Sequence, residues 1–252
     1  MRLLVTFLAL AAGLVFAQAQ PANREALWKQ VAAAEKKGLP KTAAAKLQLI
    51  YDSALRDGRH AEAIKALAKR ITHEGAVQGN KPEEKITRLQ AELEKTPDEA
   101  KPLLQTILGH WYWQYFRANR YRFLQRTATA QPLGDDFTTW DLPRLYREID
   151  LHFTNALADG RLKTIPTTDF ADLLTKPTLP EKYRPTLYDF IAHEALGFHT
   201  SGEFAAAKPE DAFKVRASDP LLGPLDKFLA WVPETTDTES PQFKAVRLYQ
   251  DV

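Results

Sequence analysis

The chain has 252 residues, with 34 Lys and Arg against 32 Asp and Glu and a formal net charge of +2. That length is enough for one large domain or two small ones and for a core that needs no metal or disulfide staple. The charge balance is too even to argue for nucleic acid or an anionic membrane as a partner. The absence of cysteine excludes disulfides, iron–sulfur clusters, thiolate zinc sites, a cysteine nucleophile and any thioester within the chain.

The first nineteen residues read as an address. Met1–Arg2 is a positive start, Leu3 to Phe16 is an apolar run broken only by Thr6 and Gly13, and Ala17–Gln18–Ala19 has the form of a cleavage site. This is the order of a secretory signal, and the run is shorter than the ~20 residues of a spanning helix. An uncleaved anchor is the alternative. No Cys follows the run, so no lipid-anchor residue is on offer, and the localisation read from the leader is periplasmic or secreted.

Beyond the leader, apolar residues recur at helical spacing. Leu27, Val31 and Ala34 form one stripe, ended by Gly38–Leu39–Pro40. Ala43, Leu47, Ile50, Tyr51 and Ala54 form the next, closed by Gly58, and Ile64, Leu67, Ala68 and Ile71 repeat the pattern before Gly75. Asn80-x-x-Glu83 opens a helix carrying Ile86, Leu89 and Leu93. Thr96-Pro97-Asp98-Glu99 predicts a capped helix start, with Thr96 as the hydroxyl cap, ahead of Leu104, Ile107, Leu108, Trp111, Tyr112 and Tyr115. Leu145, Ile149, Phe153 and Ala156 follow, then Leu187, Phe190, Ile191 and Phe198, closed by Gly160 and Gly202 respectively.

Thr127–Thr139 and Lys163–Lys182 read as loops, Asp219–Ser240 as a loop-rich stretch, and Phe243–Val252 as a last helix without a stop signal. No clean period-2 alternation runs over five residues. The expectation is an all-α fold of antiparallel hairpins with no substantial sheet, in a single helical domain over 20–252. Within it, 20–95 is repeat-like and 96–252 is a larger helical part. Tetratricopeptide arrays have a related plan with a period of ~34 residues, against a spacing of 37 from Leu27 to Ile64. The unfinished last helix suggests a reading frame that continues, with a short frayed helix as the alternative.

Signals for chemistry are weak. His193–Glu194 lacks the second histidine of a zinc-protease helix, because Gly197 stands four residues after His193. The six histidines offer no pair four apart, so a helical metal site has no seed. Glu83–Glu84 and Asp135–Asp136 fit helix-start and turn roles. None of Ser53, Ser201, Ser218 and Ser240 lies in a nucleophile elbow, and no glycine-rich phosphate loop exists. The expectation is a non-enzyme with no catalytic, metal or cofactor residues.

The run His110-Trp111-Tyr112-Trp113-Gln114-Tyr115-Phe116-Arg117, followed by Arg120, Arg122 and Arg126, is the densest aromatic patch. Its aromatics cover more than one helix face, which suits burial on most sides, and a stacking platform for a ligand is the alternative reading. Candidate interaction residues are Trp111, Trp113, Arg117 and Arg120 here, with Phe243 and Val246 on the last helix.

Several phrases, in order, resemble the N-terminal region of bacterial alpha-2-macroglobulin family proteins. They include Leu27-Trp28-Lys29-Gln30, Lys36 to Ala43, Gly79 to Ile86, and His110 to Phe116. Phe137 to Leu142, Arg184 to Phe190 and Ala245 to Gln250 continue the set. The resemblance implies a helical piece ahead of β-sandwich macroglobulin domains, in an envelope protein that traps proteases after they cleave a bait segment. Its implied partners are those downstream domains or another protein, with proteases as targets of the whole protein. The family's thioester and bait residues have no counterpart in this chain. A standalone helical-repeat scaffold that binds a protein in a groove between hairpins is the rival reading.

Overall fold

Every residue of the stripe Ala43, Leu47, Ile50, Tyr51 and Ala54 is buried, and all lie along one face of α2 (Pro40–Arg56). In the computed structural model, which describes residues 24–79, 81–125, 134–171, 173, 181–203 and 213–252, the other stripes also turn inward, with Leu27, Ala68, Leu93, Ile107, Trp111 and Phe190 only partly buried. The leader lies outside the described residues, as does Asn80.

Helix α1 (Arg24–Lys36) packs on α2, α2 on α3 (His60–Val77), α3 on α4 (Pro82–Leu93), and α4 on α5 (Lys101–Ala118). The first two turns close alike. Gly38 and Gly58 sit at φ +64° and +66°, and the residue after each donates its N–H to a carbonyl five residues back, Ala34 and Ala54. Glycine takes this left-handed cap without a Cβ penalty, so two tight antiparallel hairpins follow.

Helix α5 is where the chain changes direction of growth. It contacts α4 on one side and α6 (Arg120–Leu124), α7 (Leu142–Leu157) and α8 (Leu187–His199) on the others. Its backbone comes so close to α7 that a Cβ on Gly109 would stand 3.2 Å from the Phe153 ring. Helix α10 (Pro241–Asp251) lies on α8, and short α9 (Leu225–Ala230) precedes it. Buried apolar residues from Val31 to Leu248 form one connected cluster. Among the described residues the fold is all-α, with a single isolated bridge between Pro166 and Thr186 and no strand. No described helix is long and apolar enough to cross a membrane.

Two local expectations need correction. Gly75 does not end α3, which runs on to Val77, and the φ of +92° falls at Gly79. The reason is space: a helical Gly75 lets the Lys85 side chain of α4 lie against it. Thr96 does not cap α5. Its hydroxyl donates back to the Glu92 carbonyl, closing α4, and α5 begins only at Lys101 after a turn at Pro97–Ala100. Within the loop-rich stretch Asp219–Ser240, Pro224 leads straight into the six-residue α9.

Candidate functional site

The aromatic helix α5 divides its ring-bearing residues among three neighbours. Tyr112, Tyr115 and Phe116 are buried. The Tyr112 and Tyr115 rings meet Phe137 edge-on at 5.0 and 5.1 Å, and Phe116 meets Tyr146 of α7 at 5.1 Å. Trp113 is half-buried, edge-on to Phe198 at 5.6 Å, and its indole N–H donates to Glu203 Oε2 at 2.5 Å. Trp111 faces elsewhere and lines a groove of about 290 Å³ with Thr72, Ile86 and Gln114. Residues two apart on a helix point to opposite sides, so the two tryptophans cannot share a surface. Core packing is therefore the main work of this run.

Arg117 and Arg120 are exposed, with the Arg117 guanidinium 5.7 Å from the Trp113 ring centroid. Of the two α10 candidates, Phe243 is half-buried and edge-on to Phe213 at 6.0 Å. Val246 is not on the surface: it is 2% exposed, because α10 turns that side onto α8. It lines a pocket of about 240 Å³ with His199, Val215, Leu221, Ala245 and Tyr249.

The apolar surface lies one helix earlier than the spacing of α10 suggested. Leu222 is 89% exposed, Leu225 69%, Leu229 50% and Val232 74%; Leu225 and Leu229 stand four apart on α9, and Leu222 and Val232 lie just outside the helix. Only Phe228 of that helix is buried. Gln250 of α10 donates from Nε2 to the carbonyls of Phe228 and Trp231 at 2.7 and 2.8 Å, fastening α9 to the body. Leu221, beside Leu222 in the chain, lines the pocket that Tyr249 also lines, and Tyr249 and Val252 are themselves exposed. The spacing of Leu225 and Leu229 was visible in the sequence, but the prolines around them concealed the helix.

A larger groove of about 710 Å³ runs between the first hairpin and the segment after α7. Trp28, Ala61, Ile165 and Phe170 are among its apolar walls, and Glu25, Arg59, Lys65 and Asp169 supply mixed charge. Trp28 donates its N–H to Glu62 at 2.8 Å, and Glu62 also accepts from Arg24 at 2.9 Å.

Buried titratable groups cluster on α7, and no sequence signal pointed to them. Lys244 Nζ of α10 lies 2.5 Å from Asp150 Oδ2 and 2.6 Å from Glu239 Oε2, with His199 Nε2 3.6 Å from Asp150 Oδ1. Burial works against the charge on Lys244, but contact with Asp150 and Glu239 outweighs it and raises its pKa. Burial raises Asp150 despite Lys244. A second group joins His152 to Gln105 at 2.5 Å and to Glu148 at 3.5 Å, with the Tyr112 ring stacked on the imidazole at 5.5 Å. Burial pushes both His152 and His199 down to about 4, so each is held neutral at pH 7, and it pushes Glu148 up.

These pairs tie α7 to α5 and α10 from inside the core. His193 and Glu194 point to separate partners, the Tyr183 carbonyl at 3.3 Å and His110 at 3.5 Å. Among the described residues, no group of three or more His, Asp or Glu side chains has the arrangement of a metal site. With this geometry in hand, no protein-family model, no curated protein and no solved structure matches the chain.

Proposed function

We propose that this chain is a non-catalytic helical N-terminal module of an alpha-2-macroglobulin-like protein of the bacterial envelope. In that setting the module packs against the β-sandwich domains, while trapping of proteases belongs to the whole protein. The observation that carries the reading is the exposure of Leu222, Leu225, Leu229 and Val232 on and beside α9, whose Phe228 and Trp231 carbonyls are held by Gln250. The ordered phrases from Leu27 to Gln250 support it, and so does the leader-like start at Met1–Ala19. The buried groups around Asp150 and His152 hold α7 to α5 and α10.

The test begins with the transcript. Sequencing past codon 252 is expected to show a frame that runs into β-rich domains. Those domains, expressed separately, are then expected to co-purify with this chain and to lose it on the double substitution Leu225→Asp and Leu229→Asp. A stop after Val252, or a longer product without β-sandwiches, overturns the proposal.

A second reading rests on the 710 Å³ groove. In it the chain is a standalone helical-repeat scaffold that holds a protein partner between Trp28 and Phe170. Trp28→Ala would then weaken partner capture, whereas the α9 substitutions would leave it intact.

A further inference from the structure

The groove of about 710 Å³ has walls that the fold fixes on both sides. On one side, Trp28 of α1 is tied to Glu62 of α3 through its indole N–H, and Glu62 is tied in turn to Arg24. On the other side, segment 165–170 is laced to the start of α8. The Leu187 N–H donates to the Ile165 carbonyl at 2.8 Å, and the Thr167 N–H to the Pro185 carbonyl at 3.1 Å. The Thr167 hydroxyl donates to the Arg184 carbonyl at 2.9 Å, and Phe170 belongs to the buried core cluster. A cavity of this size falls in the range of small-molecule sites, roughly 300–1,000 Å³.

The charges that line the groove divide into engaged and unengaged ones. Glu25 pairs with Lys29 at 2.7 Å, and Glu62 is taken by Arg24 and Trp28. Arg59, the residue before α3, and Lys65, on that helix, have no ion-pair partner among the described residues, and neither has Asp169. Arg24, Arg70 and Arg88 all have one. Lys65 Nζ lies 5.2 Å from the Trp28 ring centroid, which holds the ammonium beside the indole without neutralising it. The start of α3, which no side chain caps, lines the same side, and its positive end adds to the attraction for an anion. The unpaired cations therefore belong to the α3 side and the unpaired carboxylate to the 165–170 side, with Trp28, Ile165 and Phe170 as apolar lining.

We propose that this groove is a binding site for a short peptide with free ends. The peptide's carboxylate pairs with Arg59 and Lys65, its ammonium with Asp169, and an apolar side chain lies against Trp28 and Phe170. Charge complementarity selects a zwitterion. A purely anionic ligand meets Asp169 as a like charge, and a purely cationic one meets Arg59 and Lys65. An uncharged segment leaves all three groups covered and without partners. A guanidinium takes a carboxylate through two parallel hydrogen bonds, which gives Arg59 the larger share of the anchoring. This inference rests on the groove of the second reading, names the chemistry of its occupant, and is independent of the α9 surface.

The test is isothermal titration calorimetry of the full chain with a tripeptide that has phenylalanine between two alanines. The peptide is used with free ends, N-acetylated, or C-amidated. The expected result is saturable binding of the free peptide, about tenfold weaker when either end is blocked. Arg59→Gln is expected to weaken the free peptide about tenfold and to leave the amidated one unchanged, since that peptide has no carboxylate to lose. Asp169→Asn is expected to do the same for the free and acetylated peptides. Both positions are exposed, so far-UV circular dichroism stays as it was. Arg56→Gln, an exposed arginine on α2 outside the groove, serves as the control and is expected to bind normally. The proposal is overturned if the free peptide fails to bind, or if the control loses as much affinity as Arg59→Gln. Equal binding of free and blocked peptides overturns it too, and in that case a loss on Trp28→Ala keeps the groove of the second reading and removes only the role of the ends.

Discussion

The region from α1 to α4 and the region from α5 to α8 solve the same problem with different chemistry. In the first, small and aliphatic side chains such as Ala43, Leu47, Ala63 and Ile64 fill the hairpins, and most charges are kept at the rim, with Arg70, paired to Glu92 at 3.0 Å, the buried exception. There Arg24 pairs with Glu62, and Glu35 with Lys69 and His73 at 2.9 and 2.8 Å. In the second, Phe198 touches the rings of Trp113, Tyr146 and Phe153 at 5.6 to 6.1 Å, and ionisable groups are folded in beside them. Thin helices can approach closely through alanine, so their charges stay near water. Thick aromatic layers hold helices apart, and the polar groups caught between those layers must find partners or stay neutral.

The sharpest way to break the second region is to remove its central ring. Phe198→Ala is expected to cost about 3–5 kcal/mol, read as a fall in the urea midpoint, because the surrounding rings cannot close the space. Next comes Lys244→Met, which leaves the Asp150 carboxylate without its ammonium. It is expected to cost about 3 kcal/mol at pH 7, and Asp150→Asn in the same chain is expected to restore part of that.

The pH dependence sharpens the contrast. His152 and His199 are depressed to about 4 in the folded chain, so below the ordinary histidine value the unfolded chain binds more protons. Stability from these two groups is full above pH ~6.5 and declines by about 1.4 kcal/mol per pH unit for each as pH falls toward 4. The raised Glu148 and Asp150 work in the opposite direction. Changing both histidines to Gln is therefore expected to reduce the loss of stability between pH 7 and 5, seen in urea midpoints at the two values. The smallest effect belongs to the first region. Gly58→Ala, at φ +66° with open space around it, is expected to cost about 1 kcal/mol from backbone strain alone, with no change between pH 7 and 5.

Spacing made the helices legible wherever one face was apolar and the other was not. Leu145, Ile149, Phe153 and Ala156 were readable as a stripe for that reason, and all four are buried. The same logic failed at α9, where Leu225 and Leu229 face water and prolines sit on both sides. It failed again at Val246, because a stripe on a helix says that a face is covered and not by what. Of the candidate surface residues, Arg117 and Arg120 are exposed, whereas the two tryptophans beside them serve the core. Aromatic rings alone cannot tell packing from recognition, while an arginine without a carboxylate nearby points outward.

By itself, the sequence determined the helical class, the turns at Gly38 and Gly58, the lack of any thiol chemistry and the leader-like start, since each depends on local spacing or on residue type. Tertiary structure alone decided that Lys244 meets Asp150 across 94 residues and that His152 sits beneath Tyr112. It also decided that α9 stands exposed and that α6 is pinned by Phe123. These are contacts between distant parts of the chain. They follow from how helices of particular girth pack, and periodicity carries no record of the partner each face will meet.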